Sequence, residues 1–216
     1  MRACGKWKGY NGGMVTRKVL GFRIALLGIL VGMSMGCVHQ LAPHPAQENL
    51  REPLVFGHIQ VWQGKPSGRI FLPEFASLEF ITKAGQRRYR VDIEAAAAYF
   101  FLPLDPGQYQ VTRVFIQEGE FRSSAEVPLA FEVPEQGVAY LGAWRFQIDS
   151  PNFTRELEVT IISEPVKAIV ELKVRYPSLS PTPVVSMLAE PSLLRSRLYE
   201  ITPYPRFRYF NRHNPT

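Results

Sequence analysis

Between residues 54 and 162, short runs of alternating apolar and polar residues follow one another, and glycine or proline clusters separate them. The runs VFGHIQVW (55–62) and QYQVTRVFIQ (108–117) are typical. Successive side chains of a strand point to opposite faces, so this alternation predicts half-buried β-strands. Many short strands with regularly spaced turns predict an antiparallel β-sandwich. We therefore expect one mostly β domain over residues 54–177, with about seven to nine strands.

Two further patterns complete the expected domain. Asp105-Pro106-Gly107 predicts a tight turn, because proline presets φ and glycine accepts a positive φ. Residues 164–176 predict one helix that packs on the sandwich, with Ser163 as N-cap and Pro177 as its stop. The residues expected on its packing face are Val166, Ile169, Val170 and Val174.

The flanking segments differ in composition from the domain. Residues 37–53 contain three prolines and no apolar period, which predicts a flexible tether. Residues 178–216 form a proline-rich, basic-aromatic tail with one short helix expected at 186–199, and we expect poor order beyond Tyr199. The end of this tail could bind lipid headgroups or a protein partner through Arg206, Phe207, Arg208, Tyr209 and Phe210.

The N-terminal residues 1–36 have the three parts of a secretory signal. Basic residues precede an apolar run (24–31), and small residues follow it. The run is shorter than the roughly 20 apolar residues that span a bilayer, although a retained short membrane anchor remains an alternative. Translation from Met14 would give a leader of ordinary length, so we expect Met14 to be the true start.

Removal of such a leader changes the charge of the chain. The formal net charge is +6, from 25 basic and 19 acidic residues. Six basic residues and no acid lie in residues 1–36, which leaves 19 of each in the remainder. This neutral balance argues against nucleic-acid binding. The two cysteines are Cys4 and Cys37, so no disulfide could form within the exported part and its stability must come from a hydrophobic core.

The stretch Ser34-Met35-Gly36-Cys37 resembles a bacterial lipobox. The resemblance implies that Cys37 receives a diacylglycerol, that cleavage falls between Gly36 and Cys37, and that the new N-terminus is acylated. Ser34 departs from the pattern, since that position is usually leucine. Val38, where an aspartate would favour the inner membrane, implies an outer-membrane lipoprotein facing the periplasm. The alternative is an ordinary secreted protein in which Cys37 has no role.

The segment FLPLDPGQYQVTRVFI (101–116) is similar to the L-x-PG-x-Y-x-V hairpin of transthyretin-like and carboxypeptidase-regulatory-like sandwiches. The matching residues are Leu104, Pro106, Gly107, Tyr109 and Val111. VAYLGAW (138–144) resembles a strand of small bacterial lipoproteins built on that sandwich. The likeness covers residues 54–177 and implies a binding or structural module of the envelope, with no catalytic residue.

The residues whose side chains could act in catalysis or binding form no recognisable catalytic pattern. His58 is the one histidine in an expected strand, and a surface or structural role is the simpler interpretation. Glu156 and Glu158 would share one strand face, which is usually solvated. Arg87, Arg88 and Arg90 could bind an anionic envelope polymer or could simply protect a sheet edge. No spacing typical of metal ligands occurs, and we expect neither a metal nor a cofactor.

These observations favour a lipid-anchored envelope protein that binds or scaffolds rather than catalyses. Its expected partners are the membrane, through the N-terminal lipid, and an envelope protein or polymer. The alternative is an envelope hydrolase that attacks peptidoglycan or polysaccharide through Glu156 and Glu158, which requires two carboxyl groups about 5–9.5 Å apart across a cleft.

Overall fold

The computed structural model describes residues 38–63, 71–85, 87–148 and 156–202. Within these ranges, two β-sheets pack face to face and one α-helix covers part of an outer face. The elements, numbered in chain order, are β1 (Val38–Leu41), β2 (Leu54–Gln63), β3 (Glu74–Thr82), β4 (Arg88–Ala95), β5 (Ala97–Pro103), β6 (Gly107–Glu118), β7 (Phe121–Glu126), β8 (Ala130–Val133), β9 (Val138–Ile148), β10 (Glu156–Ile162), α1 (Pro165–Arg175), β11 (Val184–Ser186), β12 (Leu193–Arg197) and β13 (Tyr199–Glu200).

The first sheet has the strand order β1-β4-β3-β6-β7-β13, with β8 paired to the beginning of β6. The second sheet has the order β12-β10-β9-β2-β5, with β11 paired to the beginning of β9. The expected mostly β sandwich with one packing helix is therefore confirmed. Its sheets are mixed rather than purely antiparallel, because β1–β4, β2–β9 and β9–β11 are parallel pairs. The parallel pair β2–β9 is possible because the intervening chain crosses to the first sheet and returns.

The main core lies between the two sheets and is rich in aromatic side chains. Phe75 of the first sheet meets Phe146 of the second with ring centroids 4.9 Å apart. Trp144, 1% exposed, packs edge-to-face on Phe100 and donates its indole N–H to the Leu141 carbonyl at 3.0 Å. A buried indole needs such an acceptor, so the contact places a large apolar ring in the core without an unpaired donor.

The helix packs on the outer face of the second sheet through a face that includes Ile169 but not the three valines expected beside it. Ala168 and Leu172 are buried, whereas Val166, Val170 and Val174 are 76%, 58% and 72% exposed. Tyr176, the residue after the helix, is buried in the same cluster as Leu172, and its ring packs edge-to-face on Phe101. Because leucine and tyrosine bury more apolar area than the valines, the larger side chains determine which face meets the sheet.

Residues 37–53 were expected to form a flexible tether, but several residues of this segment contact the folded domain. Residues 38–41 form β1, which pairs in parallel with β4. Pro43 accepts a hydrogen bond from the Phe101 amide at 2.9 Å, and Pro45 accepts one from the Tyr176 hydroxyl at 3.0 Å. Backbone pairing with existing edges thus orders a segment that has no apolar period of its own.

The proline-rich segment after the helix also differs from expectation. Residues expected to form a short helix at 186–199 instead contribute to β11 and β12, and β13 lies at the point where order was expected to end. Glu190 and Ala130 exchange two backbone hydrogen bonds, at 2.6 and 2.8 Å, which ties this segment to β8. The residues from 193 to 200 join both sheets, since β12 pairs with β10 and β13 with β7.

Candidate functional site

Several of the expected functional residues fall outside the described ranges. These are the leader (1–36) with the cleavage position Gly36, the lipidation candidate Cys37, and the tail residues Arg206, Phe207, Arg208, Tyr209 and Phe210. The described chain nevertheless begins at the residue after Cys37. Val38 is the first residue of β1. A group attached at Cys37 would therefore be one residue from the edge strand of the first sheet.

A shallow cleft of about 330 Å³ lies where the β3–β4 turn meets the β5–β6 turn. We call it the hairpin cleft. The residues that give it chemical character are Lys83, Arg87, Tyr89, Asp105, Gln108 and Tyr109. The Asp-Pro-Gly turn recognised in the sequence places Asp105 in the cleft, and Gly107 adopts φ +137° as β6 begins. Glycine tolerates this value at little cost, whereas other residues rarely adopt it.

Asp105 is the centre of the polar contacts in the hairpin cleft. Its carboxylate accepts hydrogen bonds from Arg51 at 3.2 Å and from Arg87 at 2.8 Å. Lys83 donates to the Gln108 side chain at 2.6 Å. Burial is the main cause that raises the pKa of Tyr109 to about 12, so this phenol stays protonated and donates to the Asp105 carbonyl at 2.8 Å. Two arginines on the Asp105 carboxylate and the nearby Lys83 give this region a positive balance.

The structure separates the three arginines of the expected basic spot. Arg87 belongs to the hairpin cleft, and Arg88 is exposed beside Val38 of β1. Arg90 lies further along β4, where it pairs with Asp92 at 2.9 Å and with Glu79 at 3.7 Å. Its guanidinium also lies 5.3 Å from the centre of the Phe115 ring. The three side chains thus do not form one continuous anion site.

A second polar surface, the outer polar face, lies on the second sheet beside α1. It consists of Gln60, Trp62, Arg145, Gln147, Glu158 and Thr160, which alternate with core residues along β2, β9 and β10. Trp62 is 37% exposed and donates its indole N–H to the Gln147 side chain at 3.1 Å. The Arg145 guanidinium lies 5.4 Å from the centre of the Trp62 ring and pairs with Glu164 at 2.7 Å. These contacts hold an exposed indole in one orientation.

His58 occupies the same side of the second sheet, between the outer polar face and the helix. Its ring stacks on Tyr99 with centroids 4.5 Å apart. Burial lowers the pKa of His58, and Arg145 and Lys167 act in the same direction, while Glu164 opposes them. The imidazole is therefore held neutral near pH 7. The stacking contact agrees with the structural role favoured for this histidine.

Glu156 and Glu158 share the outer face of β10, as the alternation predicted. Glu158 forms an ion pair with Arg195 of β12 at 2.9 Å. Glu156 lies opposite Arg197 in the same antiparallel pair. Two strand arginines thus accompany the two carboxylates, a relationship that requires β12 and could not be read from the local sequence.

Sequence reasoning identified the arginine-rich turn and the strand histidine but missed the two groupings that the fold creates. The hairpin cleft joins Lys83 to Asp105, and Arg51 pairs with Asp105 from outside the cleft lining. The outer polar face joins Trp62 to Arg145. An exposed tryptophan in an alternating strand was the one available signal for this second surface.

No group of three or more histidine, cysteine, aspartate or glutamate side chains within the described ranges could hold a metal ion. Among the same residues, no helix has both the length and the apolar character required to cross a bilayer. Comparison with known protein families, curated proteins and solved structures finds no match to this chain.

Proposed function

We propose that the protein is a lipid-anchored, non-enzymatic binding module of the cell envelope, attached through Cys37. The observation that carries the proposal is the position of β1. Val38 pairs with Arg88 at the start of a parallel ladder, so the residue after Cys37 already belongs to the folded domain. An acylated Cys37 would hold the sandwich directly at a membrane surface, with the exposed Arg88 beside the attachment point. Cations at that position favour anionic lipid headgroups.

Mutation of Cys37 tests the attachment. With wild-type protein, metabolic labelling with palmitate should mark a processed form that floats with membranes. Cys37→Ser should leave an uncleaved, unlabelled precursor, because the thioether cannot form. Cys4→Ser, made in the chain translated from Met1, is the matched control and should process normally, since that cysteine precedes both Met14 and the lipobox. Normal processing and labelling of Cys37→Ser would refute the proposal. We place the anchored protein at the outer membrane, facing the periplasm, and membrane fractionation checks this assignment.

The outer polar face supports a binding role directed at an envelope glycan. A partly exposed indole provides a flat apolar surface for a sugar ring, and adjacent amide and guanidinium groups provide hydrogen bonds. Trp62, Gln147 and Arg145 are arranged in this way and are oriented by contacts with one another. Preorganisation of this kind lowers the entropy cost of binding.

Retention on isolated peptidoglycan and on outer-membrane polysaccharide tests the glycan contact. We expect Trp62→Ala to lower retention of the folded protein on one of these polymers at least tenfold, the equivalent of about 1.4 kcal/mol. Tyr199→Ala is the control, because Tyr199 is also an exposed aromatic residue, 53% exposed, but lies on β13 of the first sheet. Equal retention of wild type and Trp62→Ala on both polymers would exclude this surface as the glycan site.

The ion pair of Glu158 also supports a binding role over the hydrolase alternative. A catalytic carboxyl pair must face a substrate across a cleft, whereas the Glu158 carboxylate lies on an outer strand face and is already paired with Arg195 at 2.9 Å. Turnover assays with both polymers test the alternative directly. Release of soluble fragments by wild-type protein, and its loss in Glu158→Gln, would replace the binding proposal by the hydrolase.

The tail residues 206–210 form part of the proposal as a docking element for an envelope protein. Affinity capture from detergent-solubilised membranes should compare the full chain with a chain that ends at Thr202. This end point leaves β13 intact, which pairs Tyr199 and Glu200 with β7. Identical partners for both chains would rule out the tail as the docking element.

A further inference from the structure

The exposed face of α1 carries an apolar stripe that makes no contact with the sheet below the helix. Val166, Val170 and Val174 are spaced four residues apart and are 76%, 58% and 72% exposed. Ala168 and Leu172, on the opposite side of the helix, make the contacts with the sheet. At 3.6 residues per turn, positions four apart lie one above the other, so the three valines form one continuous ridge.

Two cations border this ridge. Lys167 and Lys173 are three residues from Val170 in either direction, which places them about 60° to either side of it. Both lysines are exposed. The acidic residues near the helix are neutralised by arginines, since Glu171 pairs with Arg175 at 3.1 Å and Glu164 with Arg145 at 2.7 Å. The exposed face therefore combines an apolar ridge with a positive border.

We infer that this face of α1 rests on the surface of an anionic phospholipid bilayer, with the valines among the lipid chains and the lysines at the headgroups. This is the charge distribution of helices that lie in the membrane interface. The inference rests on the proposed lipid attachment and adds a second point of contact to it.

The fold keeps this helix close to the proposed attachment point. Tyr176, the residue after α1, donates its hydroxyl to the Pro45 carbonyl at 3.0 Å. Pro45 is eight residues from Cys37, and eight extended residues span at most about 28 Å. A lipid on Cys37 would therefore concentrate the helix at the membrane, which makes a weak apolar contact effective.

Charge argues against a second copy of the chain as the occupant of this face. If two copies packed antiparallel through their valine ridges, each border of the interface would hold the same lysine from both helices. Like charges in such positions destabilise the pairing, whereas an anionic bilayer attracts both lysines.

A fluorescent probe at Val170 tests the inference in the mature, lipidated protein reconstituted into vesicles. The proposed processing removes Cys4 and blocks Cys37, so Val170→Cys would supply the single free thiol for a polarity-sensitive dye. Val185→Cys is the matched control, because Val185 is 54% exposed on β11 and is not part of the valine ridge. In vesicles with anionic phospholipid, the dye at position 170 should shift to the blue and be quenched by spin-labelled lipid. The dye at position 185 should show neither effect.

Charge variants test the role of the lysines. Lys167→Gln with Lys173→Gln should lower the equilibrium constant for insertion of the dye at position 170 roughly 30-fold, the equivalent of about 1 kcal/mol for each lysine. Exchange of anionic for zwitterionic phospholipid should have a similar effect on the unaltered helix. An insertion signal that is equal in both lipids and in the lysine variant would overturn the inference.

Other outcomes separate this inference from the proposed function. If the protein floats with vesicles but the dye at position 170 stays in water, the helix contact is wrong and the lipid attachment stands. If the protein does not float, the attachment is wrong, and vesicles added in excess then test the helix alone by the same two dye positions. In a chain that begins at Val38 and so carries no lipid, a blue shift at position 170 without vesicles, together with a doubled mass by light scattering, would assign the ridge to a second copy and overturn the inference.

Discussion

Val38 of β1 lies opposite Arg88 of β4, at the beginning of a parallel ladder that ends with Leu41 opposite Val91. Leu41 packs against the main core, while Val38 is 53% exposed. The strand thus has one end in the core and one end at the surface, next to the candidate lipid site. This arrangement gives a direct test of whether the segment is part of the folded domain.

Leu41→Ala should lower the free energy of unfolding by about 1–2 kcal/mol, below the full cost of a buried leucine because Leu41 is only partly buried. Val38→Ala should change it by less than about 0.5 kcal/mol. Urea denaturation of both variants gives the comparison. Equal, negligible effects would mean that residues 38–41 behave as a tether after all.

Gly142→Ala should be among the most damaging small substitutions, with a cost of about 2–5 kcal/mol from backbone strain and overpacking. Gly142 has φ +104°, and an added Cβ would lie 2.8 Å from the Ile161 side chain. Gly85→Ala is the control. Gly85 also has a positive φ, +68°, but a Cβ added there would have no neighbouring atom within 4 Å. Its cost should be about 1 kcal/mol. Thermal melts of the two variants that coincide would contradict this account of Gly142.

The two faces of α1 should respond very differently to truncation. Leu172→Ala removes a side chain that is fully buried against the sheet and should cost about 2–5 kcal/mol. Val170→Ala should change stability by less than about 0.5 kcal/mol. Chemical denaturation without membranes distinguishes this packing from the face expected by sequence. A larger loss for Val170→Ala would restore that expectation and remove the basis of the membrane contact.

Burial lowers the pKa of His58, so the folded state binds fewer protons than the unfolded state in the window from its folded pKa up to about 6.5. Stability linked to His58 is therefore present above pH 6.5 and decreases as the pH falls through that window. On acidification from about pH 7.5 to pH 5, the free energy of unfolding of wild type should therefore fall more than that of His58→Gln. His44, whose pKa burial also lowers, is unchanged in both proteins and cancels in the comparison.

Nuclear magnetic resonance titration gives the site-specific control for this prediction. The His58 ring signals should titrate with a pKa below the ordinary histidine value of about 6.5. A midpoint at or above that value would show that the ring is not held neutral by its surroundings. In that case the stack on Tyr99 would not shield the imidazole from water enough to lower its pKa.

Most strands between residues 54 and 162 could be predicted because each combines an alternating or a continuous apolar run with a bounding turn, although β7 was missed. The β5–β6 hairpin is the clearest example, where Asp105-Pro106-Gly107 separates two apolar strands. The terminal strands lack both signals. Leu193–Arg197 contains two arginines in five residues, and it becomes a strand because β10 offers an unpaired edge. Such pairing depends on tertiary structure and leaves little trace in the local sequence.

The helix shows a different limit of sequence reasoning. Its extent was predictable from the 3.6-residue period and from Pro177, and the structure places it at Pro165–Arg175. Its orientation was not predictable, because both faces are apolar and only the shape of the sheet selects Leu172 and Tyr176 over the valines. The polar groupings were hidden for the same reason, since Asp105 meets Arg51 and Arg87 only after two separate turns are brought together.

The arrangement of the terminal segments has a consequence for how the protein resists self-association. Three strand edges, on β4, β7 and β10, are covered by β1, β13 and β12, which are only four, two and five residues long. Short outer strands offer a neighbouring molecule little backbone to pair with, and the arginines of β12 discourage stacking. Proteolytic loss of residues 193–200 would uncover β7 and β10 together and should make the protein prone to edge-to-edge polymerisation.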